Sequence, residues 1–260
     1  MNNAVKAEQK QQLSSTNLHW IPSIFFKPRK TISEIVKLDK PVWLLPLLVL
    51  SVLVLVQALI TAPIKKQAIE MGTNLPPDFQ YYSQEMQTQF MEAQASQTSP
   101  LFLYVFPILL GIVGIWLSWF LTSSILHLAI TLYGSRASNT KTYNLSAWSS
   151  IPFILRFLVQ ILALTFSKTL VSNPGLSGLL SSSSTGMMAF LREILGFIDI
   201  YFIFQVILLL LGIMPLSGLP KGKAWSATII TLIIVLLIKA LPGLLSSVFS
   251  DLSLTGSFFF

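Results

Sequence analysis

Cysteine is absent from these 260 residues, which excludes disulfides, thiolate catalysis and cysteine-ligated metals while leaving the compartment open. Histidine is almost absent. His19 and His127 stand far apart, one beside an apolar run and one inside another, and no zinc-protease helix motif contains them, so no metal and no cofactor is expected. Charge is also scarce, at 10% of residues against roughly 25% in soluble domains, while 53% are hydrophobic. Such a chain exposes apolar surface that only lipid can cover.

What is present is a set of long apolar runs, Pro41 to Ala62, Leu101 to Tyr133, Ala147 to Phe166, Ile194 to Pro215 and Trp225 to Leu245. Each can cross ~30 Å of hydrocarbon at ~1.5 Å per residue, which predicts an all-α integral membrane bundle of five transmembrane helices. Lysine and arginine concentrate on alternate sides: seven precede Pro41, Arg136 and Lys141 follow the second run, and Lys221 and Lys223 precede the fifth. By the positive-inside rule the N-terminus is inside and the C-terminus outside. The net charge of +7 therefore serves topology and contact with anionic lipid rather than nucleic acid. The first run is longer than the ~7–15 residues of a signal peptide's apolar core, so no cleavable signal is expected.

The expected organisation is a disordered tail (1–17), an interfacial juxtamembrane segment (18–40), a membrane domain (41–245) with an extracytoplasmic helical insert (63–100), and an outer tail (246–260). In the juxtamembrane segment Pro28 opens a short helix whose Ile32, Ile35 and Val36 share one face. That face either lies in the inner interface or caps the spans. In the insert, Gly72 is a helix stop, and Asp78 after Pro76 and Pro77 caps a helix. Phe79, Tyr82, Met86, Phe90 and Ala93 there recur at spacings of three or four, leaving Gln80, Gln84, Gln87 and Gln94 on the wet side. The stripe is either internal packing or a partner surface. The outer stretch 167–186, with Asn173, Pro174 and Ser181 to Ser184, reads as a flexible loop of low complexity.

The order of features resembles the Yip family of Ypt-interacting multispan membrane proteins. The resemblance runs from about Ile24 onward. It rests on Phe26, Pro28, Thr31 and Ile35, on Tyr133-Gly134 leading to Ser149, Ser150, Ile151 and Pro152, on Asp199, and on Leu210, Gly212 and the turn Lys221-Gly222-Lys223-Ala224. The Gln-rich outer insert is closer to the bacterial branch. The resemblance implies a five-helix bundle without enzymatic activity, acting in bacteria as a scaffold or accessory subunit, in some relatives beside ABC-type exporters of peptides. Its partners would be the lipid bilayer and other membrane proteins, in the bacterial cytoplasmic membrane. Small-GTPase binding is not expected to carry over, because only residues 1–40 precede the first span.

Catalytic patterns fail on their chemistry. Gly175-Leu176-Ser177-Gly178 has the shape of an intramembrane serine-protease nucleophile motif, yet both histidines precede it and no later base is available. Gly218 to Ala224 is shorter than a phosphate loop and lacks the hydroxyl that would hold magnesium.

Polar residues inside the spans remain, since a charge at the bilayer centre costs at least ~2.5 kcal/mol on insertion scales and needs a partner or a wet cavity. Folding back about the inner loops brings His127 and Arg156 to comparable depth, with Gln160 one turn above Arg156, and pairs Asp199 with Lys239, with Gln205 nearby, forming a polar seam. It reads either as glue between helices or as the pathway of a small-solute or peptide permease component. The lack of an internal repeat and of paired broken helices speaks against transport. Gly111 and Gly114, after Pro107, allow close packing or a kink.

Overall fold

The computed structural model describes residues 17–70, 78–171, 173–181 and 186–252. Regular structure among them is helical: α1 (Trp20–Phe26), α2 (Pro28–Ile35), α3 (Leu44–Glu70), α4 (Gln84–Gln97), α5 (Phe106–Leu132), α6 (Asn139–Ser149), α7 (Pro152–Ser167), α8 (Gly186–Phe197), α9 (Ile200–Ser217) and α10 (Lys221–Leu252). Five stretches are long and apolar enough to cross a membrane: Leu44–Glu70, Leu101–Leu132, Asn139–Ser167, Ile200–Ser217 and Lys221–Leu245. This is a multi-pass membrane protein. The tail 1–16, Gly72, Pro76, Pro77 and Ser182 to Ser184 lie outside the described residues.

The span boundaries differ from the apolar runs for physical reasons. The first helix continues through Pro63 to Glu70, because a proline removes only one hydrogen bond and the helix resumes beyond it, with Lys66 and Glu70 paired at 3.7 Å one turn apart. The third begins at Asn139, eight residues of polar character earlier than the run, and breaks before Pro152. A residue preceding proline avoids the helical region, and Pro152 itself has no N–H to give. The fourth divides at Ile198–Asp199, so α8 stands apart from the spanning α9. The fifth runs past Leu245 to Leu252.

The chain forms two compact units, one within Met1–Val49, Trp119–Pro152 and Phe204–Leu232, the other within Leu50–Ser118, Phe153–Ile203 and Ile233–Phe260. In the first, Pro28 forces Lys27 out of helical geometry (φ −139°, ψ 56°), which bends α1 against α2. Helix α2 packs on α6, and its Ile32 and Ile35 are wholly buried. Ile32 and Ile35 are thus packed inside the first unit. Gly212 of α9 admits them: a Cβ there would collide with Leu145 and with Ile32. The buried face of α6 also carries Thr142, Asn144, Trp148 and Ser149. Asn144 accepts from the Val42 amide at 2.8 Å and donates to the Lys40 carbonyl at 2.9 Å, and Trp148 Nε1 donates to the Val42 carbonyl at 3.0 Å. These bonds clasp the chain as it enters α3, and Trp20 stands edge-on to Trp148 at 5.1 Å.

In the second unit the insert between the first two spans forms, from residue 78 on, a short helix with a folded lead-in. Ser83, rather than Asp78, caps α4, accepting from the Met86 amide at 3.3 Å. Phe79 packs on Phe90 at 5.3 Å and on Tyr82 at 5.9 Å, so these three form internal packing, while Met86 is exposed. Gln87 is not on the wet side: its amide donates to the carbonyls of Phe79 and Tyr82. Residues 173–181 are ordered rather than formless. Gly175, in left-handed geometry (φ 56°), approaches the carbonyls that end α8 so closely that a side chain would collide with them. The Leu176 amide donates to the carbonyls of Leu195 and Ile198, capping α8 from outside.

Candidate functional site

Arg156, Asp199 and Lys239 all belong to the second unit. Arg156 projects from α7 one turn after Pro152, and its Nε lies 3.1 Å from Asp199 Oδ2. Asp199 has a second duty. Its Oδ1 accepts from the Phe202 amide at 2.8 Å, making it the N-cap that starts α9 after the break. Both carboxylate oxygens are thus engaged, one by a guanidinium and one by the positive end of a helix, and the negative charge suits both. A carboxylate engaged on both oxygens ties a helix start to a neighbouring helix.

Lys239 does not take Asp199 as its partner. Its ammonium sits over the Phe197 ring, 4.3 Å from the centroid, within electrostatic range of Arg156 and Asp199 but in no ion pair among the described residues. Equal distance from the turn at 218–220 set a comparable depth, but rotation about the α10 axis aims Lys239 at α8. Gln160, one turn beyond Arg156, accepts a long bond of 3.4 Å from Gln57 of α3.

His127 and Gln205 belong to the other unit. There His127 Nδ1 lies 3.4 Å from Thr142 Oγ1, and Gln205 is half-buried. Among the expected partner-facing residues, Pro28 starts α2, Ile32 and Ile35 are buried, Phe79, Tyr82 and Phe90 pack together, and Met86 alone is exposed. Among the described residues no three His, Asp or Glu side chains converge as metal ligands would. Ser177, the serine of the protease-like motif, is buried and donates to the Pro174 carbonyl at 2.6 Å, a local turn contact.

Sequence reasoning missed two sets of residues. Asn144 and Trp148 lie one turn apart on α6, a spacing that places a polar amide and an indole on one face. Glu193 and Gly243 meet between α8 and α10: a Cβ on Gly243 would collide with the Glu193 side chain. Only the three-dimensional pairing shows what that glycine lies against.

A family model described as the Yip1 domain matches residues 23–241. The chain belongs to this family. The match takes in all five spans' apolar cores together with Arg156, Asp199, Asn144 and Trp148. Comparison with curated proteins and with solved structures gives no match.

Proposed function

We propose that this Yip1-domain protein is a non-catalytic scaffold or accessory subunit of a bacterial membrane complex, with an ABC-type exporter as the class of complex it serves. The observation that carries this reading is the double engagement of Asp199. The acid that a transport pathway would need exposed is instead spent on Arg156 and on the start of α9. The other broken ends are closed too. Leu176 caps α8, and the hydroxyls of Ser149 and Ser150 satisfy carbonyls of the last turn of α6, at 2.8 and 2.6 Å.

The surface for a partner is the basic face of the first unit. There Phe26 is 84% exposed beside the exposed Lys27, Arg29 and Lys30. An aromatic side chain ringed by cations suits contact with an acidic partner or an anionic membrane surface. The permease reading retains one favourable observation, because spans three and four are both broken, as transporter helices that build substrate sites are.

Cross-linking of native membranes, capture of the tagged chain and quantitative mass spectrometry test the proposal. A discrete membrane-protein partner at near-equal stoichiometry, lost in Phe26→Ser/Arg29→Gln/Lys30→Gln, is expected. Recovery of the chain without partners, combined with solute flux when it is reconstituted alone, would replace the scaffold with the permease.

A further inference from the structure

Helices α8 and α10 meet in an antiparallel register fixed by two contacts. Phe197 lies under Lys239, and Glu193 lies against Gly243. Residues 193 and 197 are one turn apart on α8, as are 239 and 243 on α10. A cation and an anion therefore stand on facing helices, offset by about one turn, or ~6 Å along the axis. They do not close on each other: neither Lys239 nor Glu193 forms an ion pair among the described residues. The Phe197 ring holds the ammonium by cation–π attraction, and the missing side chain of Gly243 holds the carboxylate where it is. Arg156 and Asp199 nearby neutralise one another.

The place of this pair along the spans narrows what it meets. Lys239 stands near the Leu245 end of the fifth span, and Glu193 precedes Asp199, where the fourth begins. Both positions lie toward the same end of their spans, the end at which headgroups border the hydrocarbon. The same two helices expose Met188, Leu191, Leu237 and Leu241, apolar side chains suited to acyl chains. A separated cation and anion of zero net charge match a ligand that is itself a zwitterion.

We propose that Lys239 and Glu193 form a headgroup site for a phospholipid bearing a phosphate and a primary amine, the phosphate on Lys239 and the ammonium on Glu193. A primary ammonium has three N–H donors and can give one or two of them to a carboxylate, whereas a quaternary one has none. The site therefore discriminates between ethanolamine and choline headgroups on identical acyl chains. This inference stands whether the chain is a scaffold or a permease.

The test uses the full chain, stripped of lipid in detergent and titrated with palmitoyl-oleoyl phosphatidylethanolamine or the phosphatidylcholine with the same chains, read by native mass spectrometry. The ethanolamine lipid should bind about ten- to a hundredfold more tightly, the value of charge-assisted hydrogen bonds. Glu193→Gln should reduce that preference to about twofold or less, and Lys239→Gln should weaken both lipids. Lys223→Gln, in the exposed first turn of α10, should change neither. Soluble phosphoethanolamine separates the sources: competition at millimolar concentration assigns the site to a free headgroup compound, and its absence assigns it to the lipid. Equal binding of the two lipids by the unmodified chain would overturn the proposal, and this holds even if the charge variants fail to fold.

Discussion

Asp199 and Arg156 form the one ion pair, among the described residues, in which both side chains are mostly buried: Nε to Oδ2 is 3.1 Å, with side chains 21% and 15% exposed. The pair joins the start of α9 to the interior of α7. Its worth differs from that of a surface bridge, because both side chains are mostly buried and the unpaired state of either partner is costly. Asp199 is also the N-cap, so one side chain fixes a helix start and a helix contact together.

Close helix approach is predicted to depend on Gly212 and Gly243 but not on Gly114. Gly212→Ala must push against Leu145 and Ile32, and Gly243→Ala against Glu193, whereas a Cβ on Gly114 meets nothing within 4 Å. Overpacking of this kind costs about 1–3 kcal/mol, while an unopposed Gly→Ala in a helix gains up to about 1 kcal/mol. Thermal unfolding in detergent should order the variants accordingly, with Gly114→Ala at or above the parent. Gly212→Ala as stable as Gly114→Ala would contradict the packing described.

The clasp on the entry to α3 is predicted to loosen in Asn144→Ala. That change strips partners from the Val42 amide and the Lys40 carbonyl, at about 2–4 kcal/mol, while Trp148→Phe loses a single bond worth about 1 kcal/mol. Amide exchange at Val42 should accelerate strongly in Asn144→Ala, where its hydrogen-bond acceptor is gone. In Trp148→Phe it should accelerate little, because only the carbonyl side is affected. Unchanged exchange at Val42 in Asn144→Ala would remove the clasp from the account.

Topology is predicted from charge: the 133–141 loop faces the cytoplasm and α4 does not. Because the chain has no cysteine, single cysteines report position cleanly. Gln89 and Asn139 are both exposed, so neither substitution disturbs packing. A membrane-impermeant thiol reagent applied to intact cells should label Gln89→Cys and spare Asn139→Cys. Labelling of Asn139→Cys alone would invert the topology.

The five spans were legible in the sequence because hydrocarbon imposes length and composition on any segment that crosses it. What escaped is what depends on neighbours. Residues 139 to 146 are too polar to read as part of a span, yet Thr142, Asn144 and Ser146 are buried because α6 is covered by protein. The break before Asp199 was hidden inside a continuous apolar run, since a cap on α9 and a loop amide on α8 create it. Depth could be counted from the short turn between spans four and five, but rotation could not. Lys239 therefore emerges over Phe197, and Asp199 belongs to Arg156. The stripe in the insert was real for Phe79, Tyr82 and Phe90, and the non-helical Tyr82 sets Met86 apart from it.

The claim that the intramembrane charges hold the bundle together is tested most directly by a double-mutant cycle on Arg156 and Asp199. Asn at position 199 can still cap α9, so Asp199→Asn isolates the ion pair from the helix start. Each single variant, Arg156→Gln or Asp199→Asn, leaves one charge stranded and should cost on the order of 2–3 kcal/mol, between the surface and fully buried cases. Read as thermal stability in detergent, the double variant should be milder than the worse single one, with a coupling of at least about 1 kcal/mol. Strictly additive losses would contradict a structural pair and return Asp199 to the permease reading as an unpaired acid.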